Sequence, residues 1–234
     1  MTRRAVVDVA MTAGRLLVRA DEGVAQPRVA SIAAKLATDA RAIDAAAGAV
    51  VEAGDHLLRI VVAEPAGRGR SPQVLVEVHV PRGTDVVADA GQAEVVCTGQ
   101  VGALEVRTTS GSVHAEDVEG SLDVRTGRGP VTVHRYTGDA RLSVSDAGVI
   151  IRAAHGPLSM HGRSGDVHVW SLAASAQIAT STGNVRVGWQ GESAVRLDVA
   201  THTGRVDMRV GNDPNAQNVL AIRTISGDIR VTSA

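Results

Sequence analysis

The chain has 234 residues and a formal net charge of −1, with 24 Lys and Arg against 25 Asp and Glu. This length supports one large or two small domains with a real core, and the charge balance argues against a large electrostatic commitment to nucleic acid. Trp170, Trp189 and Tyr136 are the only aromatic residues and there is no Phe, so the core must be aliphatic and stacking platforms for bases or sugars are scarce.

The opening "MTRRAVVDVAMTAG" carries two arginines but no sustained apolar run before Asp8, which is unlike a signal peptide or transit sequence, and no later run approaches a membrane span. Cys97 is the single cysteine, so no intrachain disulfide can form. A soluble, cytoplasmic protein is expected. "AVVDVAM" and "GRLLVRA" read as strands, while "VASIAAKL" is ambiguous between strand and helix. "TDARAIDAAAG" has an Asp/Thr start, an Ala-rich middle and a Gly end, which predicts one short helix. "HLLRIVV" and "QVLVEVHVP" are strands again, separated by the turn-rich "AEPAGRGRSP". The "GRGR" within it, around Arg68, lacks the strand-to-helix setting of a phosphate loop and reads as an exposed loop. Residues 1–83 are therefore expected to form a β-rich cap containing one short helix, with the repeats filling 84–234.

From Gly111 a repeat of eighteen residues runs without a slip through Gly129, Ala147, Gly165 and Gly183. Looser copies lie at Gly91, Gly204 and Gly227, which makes eight in all. Two and four residues after each of these positions the side chain is apolar, as in Val113/Ala115, Val131/Val133 and Val167/Val169. Seven and five before them, from Gly111 onward, stand further apolar pairs such as Leu104/Val106 and Leu122/Val124. Alternation of this kind marks strands with one buried face. A second corner lies nine residues on, at Gly120, Gly138, Gly156 and Ala174. Each repeat thus holds two short strands joined by tight turns, with glycine expected to supply positive φ at both corners. Ala147, followed by Gly148, predicts one altered corner. Because a single strand-turn-strand unit cannot bury its own apolar face, the copies must stack at about 4.8 Å per turn, and eight turns give a rod of roughly 38 Å. The fold class is all-β: a β-solenoid of about eight turns. Thr108, Thr126, Thr180, Thr201 and Thr224 recur three before the corner and are expected to form hydroxyl ladders along the axis, with no base recurring beside them that would make a catalytic threonine.

The segment "VEVHVPRGTDV", followed by "GALEVRTTSGSVHAEDVEGSLDVRTGRGPVTV" and the closing "LAIRTISGDIRV", resembles the bacterial putative-adhesin family, domain of unknown function 4097. The resemblance covers nearly the whole chain. It implies a single-stranded, right-handed β-helix with no catalytic residues, and the family's adhesin label implies display at a surface.

The outward positions of one face, including Glu105/Arg107, Asp123/Arg125 and Arg141/Ser143, read as a mixed, solvated surface. Glu105 and Asp123 stack, each flanked by Arg, so a salt-bridged surface is favoured over the paired carboxylates of a polysaccharide lyase or hydrolase. His114 and His168 share a position but lie three turns apart, about 14 Å, too far to share a metal. The residue after each corner varies from Gln to Pro to Arg, which excludes a regular calcium ladder. No cofactor and no metal site is expected. One cluster stands out on the other face. Ile150, Arg152, His168 and Trp170 fall on consecutive turns, with His134 one turn below Arg152 and Trp189 just past the next strand. Apolar Ile and Trp on an outer face point either to a contact site or to a surface covered by the cap or a loop. The expectation is a non-catalytic scaffold or interaction protein that binds a protein partner or a second copy of itself, without nucleic acid or membrane. The alternatives are a carbohydrate-active β-helix enzyme and a bactofilin-like filament former.

Overall fold

The computed structural model describes residues 4–54, 56–64, 71–190 and 195–234. The "GRGR" motif, residues 67–70, falls outside the described residues. The first part of the chain contributes β1 (Val6–Met11), β2 (Ala13–Asp21), β3 (Arg28–Ala34), helix α1 (Ala40–Ala47), β4 (Val50–Ala53), β5 (Leu57–Val62) and β6 (Val74–Pro81). The repeats then supply β7 (Asp85–Asp89), β8 (Gln92–Val101), β9 (Leu104–Ser110), β10 (Val113–Val118), β11 (Leu122–Arg128), β12 (Val131–Tyr136), β13 (Ala140–Asp146) and β14 (Val149–Ala154). They continue with β15 (Leu158–Ser164), β16 (Val167–Leu172), β17 (Ala176–Thr182), β18 (Val185–Trp189), β19 (Val195–Thr203), β20 (Val206–Met208), β21 (Asn218–Ser226) and β22 (Ile229–Ser233).

These strands form two long sheets of eleven strands each, one built from the first strand of every repeat and one from the second. We call them sheets A and B. Pairing is parallel throughout the repeats, and Val113, Val131, Val149, Val167 and Val185 are register partners in turn. The eighteen-residue step is therefore the height of one turn of a solenoid-like stack. Each strand sends alternate side chains between the sheets, where Val124, Val133, Ile151, Val169 and Ile178 are fully buried. Tyr136 joins them, its hydroxyl donating to the Gly156 carbonyl at 3.1 Å. The core is thus aliphatic, as the near absence of aromatics requires.

Glycine is needed at the two corners for different reasons. At Gly183 the backbone has φ +138°, and a Cβ would meet the Gly165 carbonyl oxygen of the turn below at 2.2 Å. At the half-turn corners φ is not positive, contrary to expectation. Close stacking decides there, since a Cβ on Gly156 would come within 2.1 Å of the Gly138 oxygen. The corner at Ala147 and Gly148 does depart from the rest, with no positive φ at either residue. Thr108 and Thr126 are buried register partners, as are Thr180 and Thr224 with the half-buried Thr201 beyond, but their hydroxyls do not bond one another. Thr108 donates to Gly91 O (2.9 Å), Thr126 to Arg128 O (2.9 Å) and Thr201 to Gly227 O (3.0 Å), so each hydroxyl is satisfied by a turn carbonyl rather than by the threonine of the next turn. A ladder does run along the axis, one residue after the corner. Asp166 Oδ1 accepts from Asn184 N, Asn184 Oδ1 from Asp228 N and Asp228 Oδ1 from Arg205 N, at 2.8, 2.9 and 2.8 Å.

Two register expectations are corrected. Val113 pairs with Val95, so the strict step reaches back to Ala93, and Gly91 instead packs against the Thr12 carbonyl. The stack also does not follow chain order at its ends. β21 and β22 lie between β17–β18 and β19–β20, and at the other end β1 and β2 lie between β5–β6 and β7–β8. Exposure follows this order: Leu220, Ile222, Ile229 and Val231 of the enclosed turn are fully buried, whereas the equivalent Val206 and Met208 of the outermost turn are 40% and 49% exposed. The ambiguous "VASIAAKL" supplies most of β3, which pairs antiparallel with β6, as β4 does with β5. α1 packs on β3 and β6 and buries Ala42 and Ala45. Its N-cap is Asp39, whose Oδ1 accepts from Ala42 N at 3.2 Å, and it ends at Gly48. No helix among the described residues is long and apolar enough to cross a membrane.

Candidate functional site

Alternation sends every second residue of β10 to β18 outward on sheet B, and the parallel register lines these residues up along the axis. One such column reads His114, Thr132, Ile150, His168, Arg186, Arg230 and Asp207. Two residues further along their strands stand His134, Arg152 and Trp170. The structure therefore brings together Ile150, Arg152, His168, Trp170 and His134 on neighbouring strands of one face.

Trp170 and His168 are separated by one residue on β16, so both point outward, and their rings stack with centroids 4.2 Å apart and planes inclined by 20°. His134 meets His114 edge to face at 5.8 Å instead. Trp170 is 58% exposed and Ile150 42%, so neither the cap nor any other described segment covers them. Partial burial, reinforced by the Arg186 cation on the next strand, holds His168 below its ordinary imidazole value, which leaves the ring neutral at pH 7. Gly188 stands beside the Trp170 carbonyl and adds no side chain. Trp189 does not join the patch: it is 5% exposed and closes the core at the end of β18. The alternation is interrupted there, since the register between β16 and β18 shifts after Val169.

The outer face of sheet A is ion-paired. Glu105 and Asp123 are register partners on the wall of a groove of about 420 Å³ that Asp85 and Asp139 also line. Arg107 donates to Glu105 at 2.6 Å, Arg125 to Asp123 at 3.4 Å, and the Ala103 N–H to Asp85 at 2.7 Å. Glu105, Asp123 and Asp85 are thus engaged by neighbours of their own. Among the described residues no three His, Cys, Asp or Glu side chains converge as a metal site would require.

The fold and its surfaces define an all-β repeat protein of the solenoid-like kind, whose distinctive feature is an open patch on a flat sheet. A family model described as Toastrack DUF4097 matches residues 75–232. The chain belongs to that family. No curated protein matches it. Among solved structures it is similar to a putative adhesin from Bacteroides fragilis, at 10% identity and a TM-score of 0.42 over 98% of this chain and 93% of that one. It is also similar to a putative cell adhesion protein from Clostridium sporogenes, at 9% identity and a TM-score of 0.28 over 99% and 93%.

Proposed function

We propose that the chain is a non-catalytic interaction module that docks a protein partner on the outer face of sheet B, with Trp170 and Ile150 as anchors. The observation that carries this reading is the exposure of those two side chains in mid-stack. The other exposed large apolar residues lie near the ends or at corners, whereas these two sit on the flat face between His168 and Arg152. A large apolar side chain on a rigid strand loses little entropy on binding, and Trp and Arg are the residues that most often dominate interface energies. His168 braces the indole, so the platform is preorganised. Trp170→Ala combined with Ile150→Ser is expected to weaken partner retention at least about tenfold while leaving the circular dichroism spectrum unchanged. Equal retention by the double variant, with folding intact, removes this face as the interface.

A second reading rests on the outermost turn. Val206 and Met208 are half-exposed, and among the described residues only the bridge from Asn212 to Val195 lies outside β19, at its first residues, so the rest of this end suits a second copy of the chain. Light scattering of Met208→Asp against the unaltered chain distinguishes the two: a fall in mass assigns self-association to the end of the stack.

A further inference from the structure

We infer that the outer face of sheet B continues, beyond Trp170, into a receptor for carboxylate side chains, and that its occupant is an acidic segment of a protein partner. The choice of a protein segment rests on the docking reading above; the anion site itself stands on separate observations. A recess of about 520 Å³ at the end of sheet B is lined by four guanidinium groups, Arg186, Arg205, Arg209 and Arg230, against two carboxylates, Asp207 and Asp228.

The arrangement follows from the order of the turns. Had the stack followed chain order, Asp207 would separate Arg186 from Arg230 and neutralise both. With β22 placed inside β20, Arg186 and Arg230 become direct register partners, and Asp207 lies on the far side. Like charges directly opposite on parallel strands repel. The comparable pair on sheet A, Arg107 and Arg125, is relieved by a carboxylate for each. Here Asp207 serves Arg209 and Arg230 at 3.2 Å each, while Asp228 uses Oδ1 on the Arg205 backbone N–H. Among the described residues, no carboxylate lies within 4.0 Å of the guanidinium of Arg186 or Arg205. Two cations are thus held near others without a counter-charge.

The ligand chemistry follows from the same groups. Asp207 shows that these guanidiniums accept a carboxylate. Four guanidiniums against Asp207 and Asp228 leave an excess of two positive charges, enough for two carboxylates of one segment. Arg186 is the register partner of His168, one strand spacing of about 4.8 Å from the Trp170 platform, so one extended segment can place an apolar residue on Trp170 and acidic residues on the arginines.

The test uses fluorescence anisotropy of a fluorescein-labelled hexaglutamate peptide on the full chain, with hexaglutamine as the neutral probe. Saturable binding of hexaglutamate is expected, weakening as salt is raised. Arg186→Gln with Arg205→Gln should lower affinity about tenfold or more, whereas Arg125→Gln, on the opposite sheet, should leave it unchanged. Trp170→Ala with Ile150→Ser should not alter hexaglutamate binding, so the two readings fail separately. A peptide extended by two leucines should bind the unaltered chain more tightly and lose that gain in the Trp170/Ile150 variant. Binding unaffected by the Arg186/Arg205 change, or hexaglutamine binding as tightly, overturns the carboxylate receptor. Stronger binding of dextran sulfate at matched charge overturns it too, assigning the recess to sulfated polymers.

Discussion

Replacing Gly183 by Ala tests the claim that turn height is set by glycine stacked on glycine. The new Cβ would stand 2.2 Å from the Gly165 carbonyl oxygen and 2.6 Å from its carbon, against the 3.0 Å below which such contacts essentially do not occur. Relief requires the two turns to part by on the order of 1 Å, an overpacking cost of about 1–3 kcal/mol. The backbone at φ +138° adds about 1–3 kcal/mol for a residue with a Cβ. A loss of about 2–6 kcal/mol follows, or a fall in Tm of roughly 4–24 °C for a chain of this size. Gly148→Ala is the matched control, because its Cβ meets nothing closer than the Asp166 oxygen at 3.6 Å and its φ is not positive. It should be neutral, or stabilising by a few tenths of a kcal/mol up to about 1 kcal/mol through the unfolded chain. Urea unfolding followed by circular dichroism and by tryptophan emission reads both variants, and coincidence of the two probes checks for a single transition. Similar midpoints for Gly183→Ala and Gly148→Ala would refute stacking as the reason for glycine.

Three further outcomes follow from the core and the ends. Val167 is 1% exposed between Val149 and Val185, so Val167→Asp buries an unpaired carboxylate and should cost more than about 3 kcal/mol, read as a collapse of the urea midpoint. Burial pushes the Cys97 thiol up to about 12, so a thiol reagent at pH 8 should label it only as fast as the chain opens. Its raised value also means that the folded chain keeps a proton the unfolded chain releases. This contribution is full below about pH 9 and lost as pH rises towards 12, up to about 4 kcal/mol, and Cys97→Ala should flatten the alkaline limb of a stability profile. Removing residues 218–234 takes away the turn on which β19 and β20 rest, so limited proteolysis should then cut at 195–208 first.

The columns of inward residues were legible in the sequence because an eighteen-residue step repeats them without error from Val113 to Val185. The helix was legible too, since Asp39 and Gly48 signal its ends directly. The order of the end turns was not. Leu197/Val199 and Leu220/Ile222 carry the same alternation, so either turn could lie next to β17 on pattern alone. Gly91 misled because a glycine near a corner looks like the corner, while the register placed Ala93 there. The patch at Ile150, His168 and Trp170 could be read from apolar residues at outward positions, since the strict repeat fixes which positions face out. The arginine recess could not: Arg186 and Arg230 are far apart in the chain and become neighbours only through the exchanged order of the last turns.

Because both terminal turns are held between other turns, length in this fold is adjustable only in the middle. A unit of eighteen residues spliced in between Gly129 and Gly183 would add one rung of about 4.8 Å and leave both closures untouched. Units appended after Ser233 would have no free rung to continue from, since β22 already has β18 on one side and β20 on the other. The stack thus lengthens by inserted rungs of about 4.8 Å without disturbing the order of its end turns.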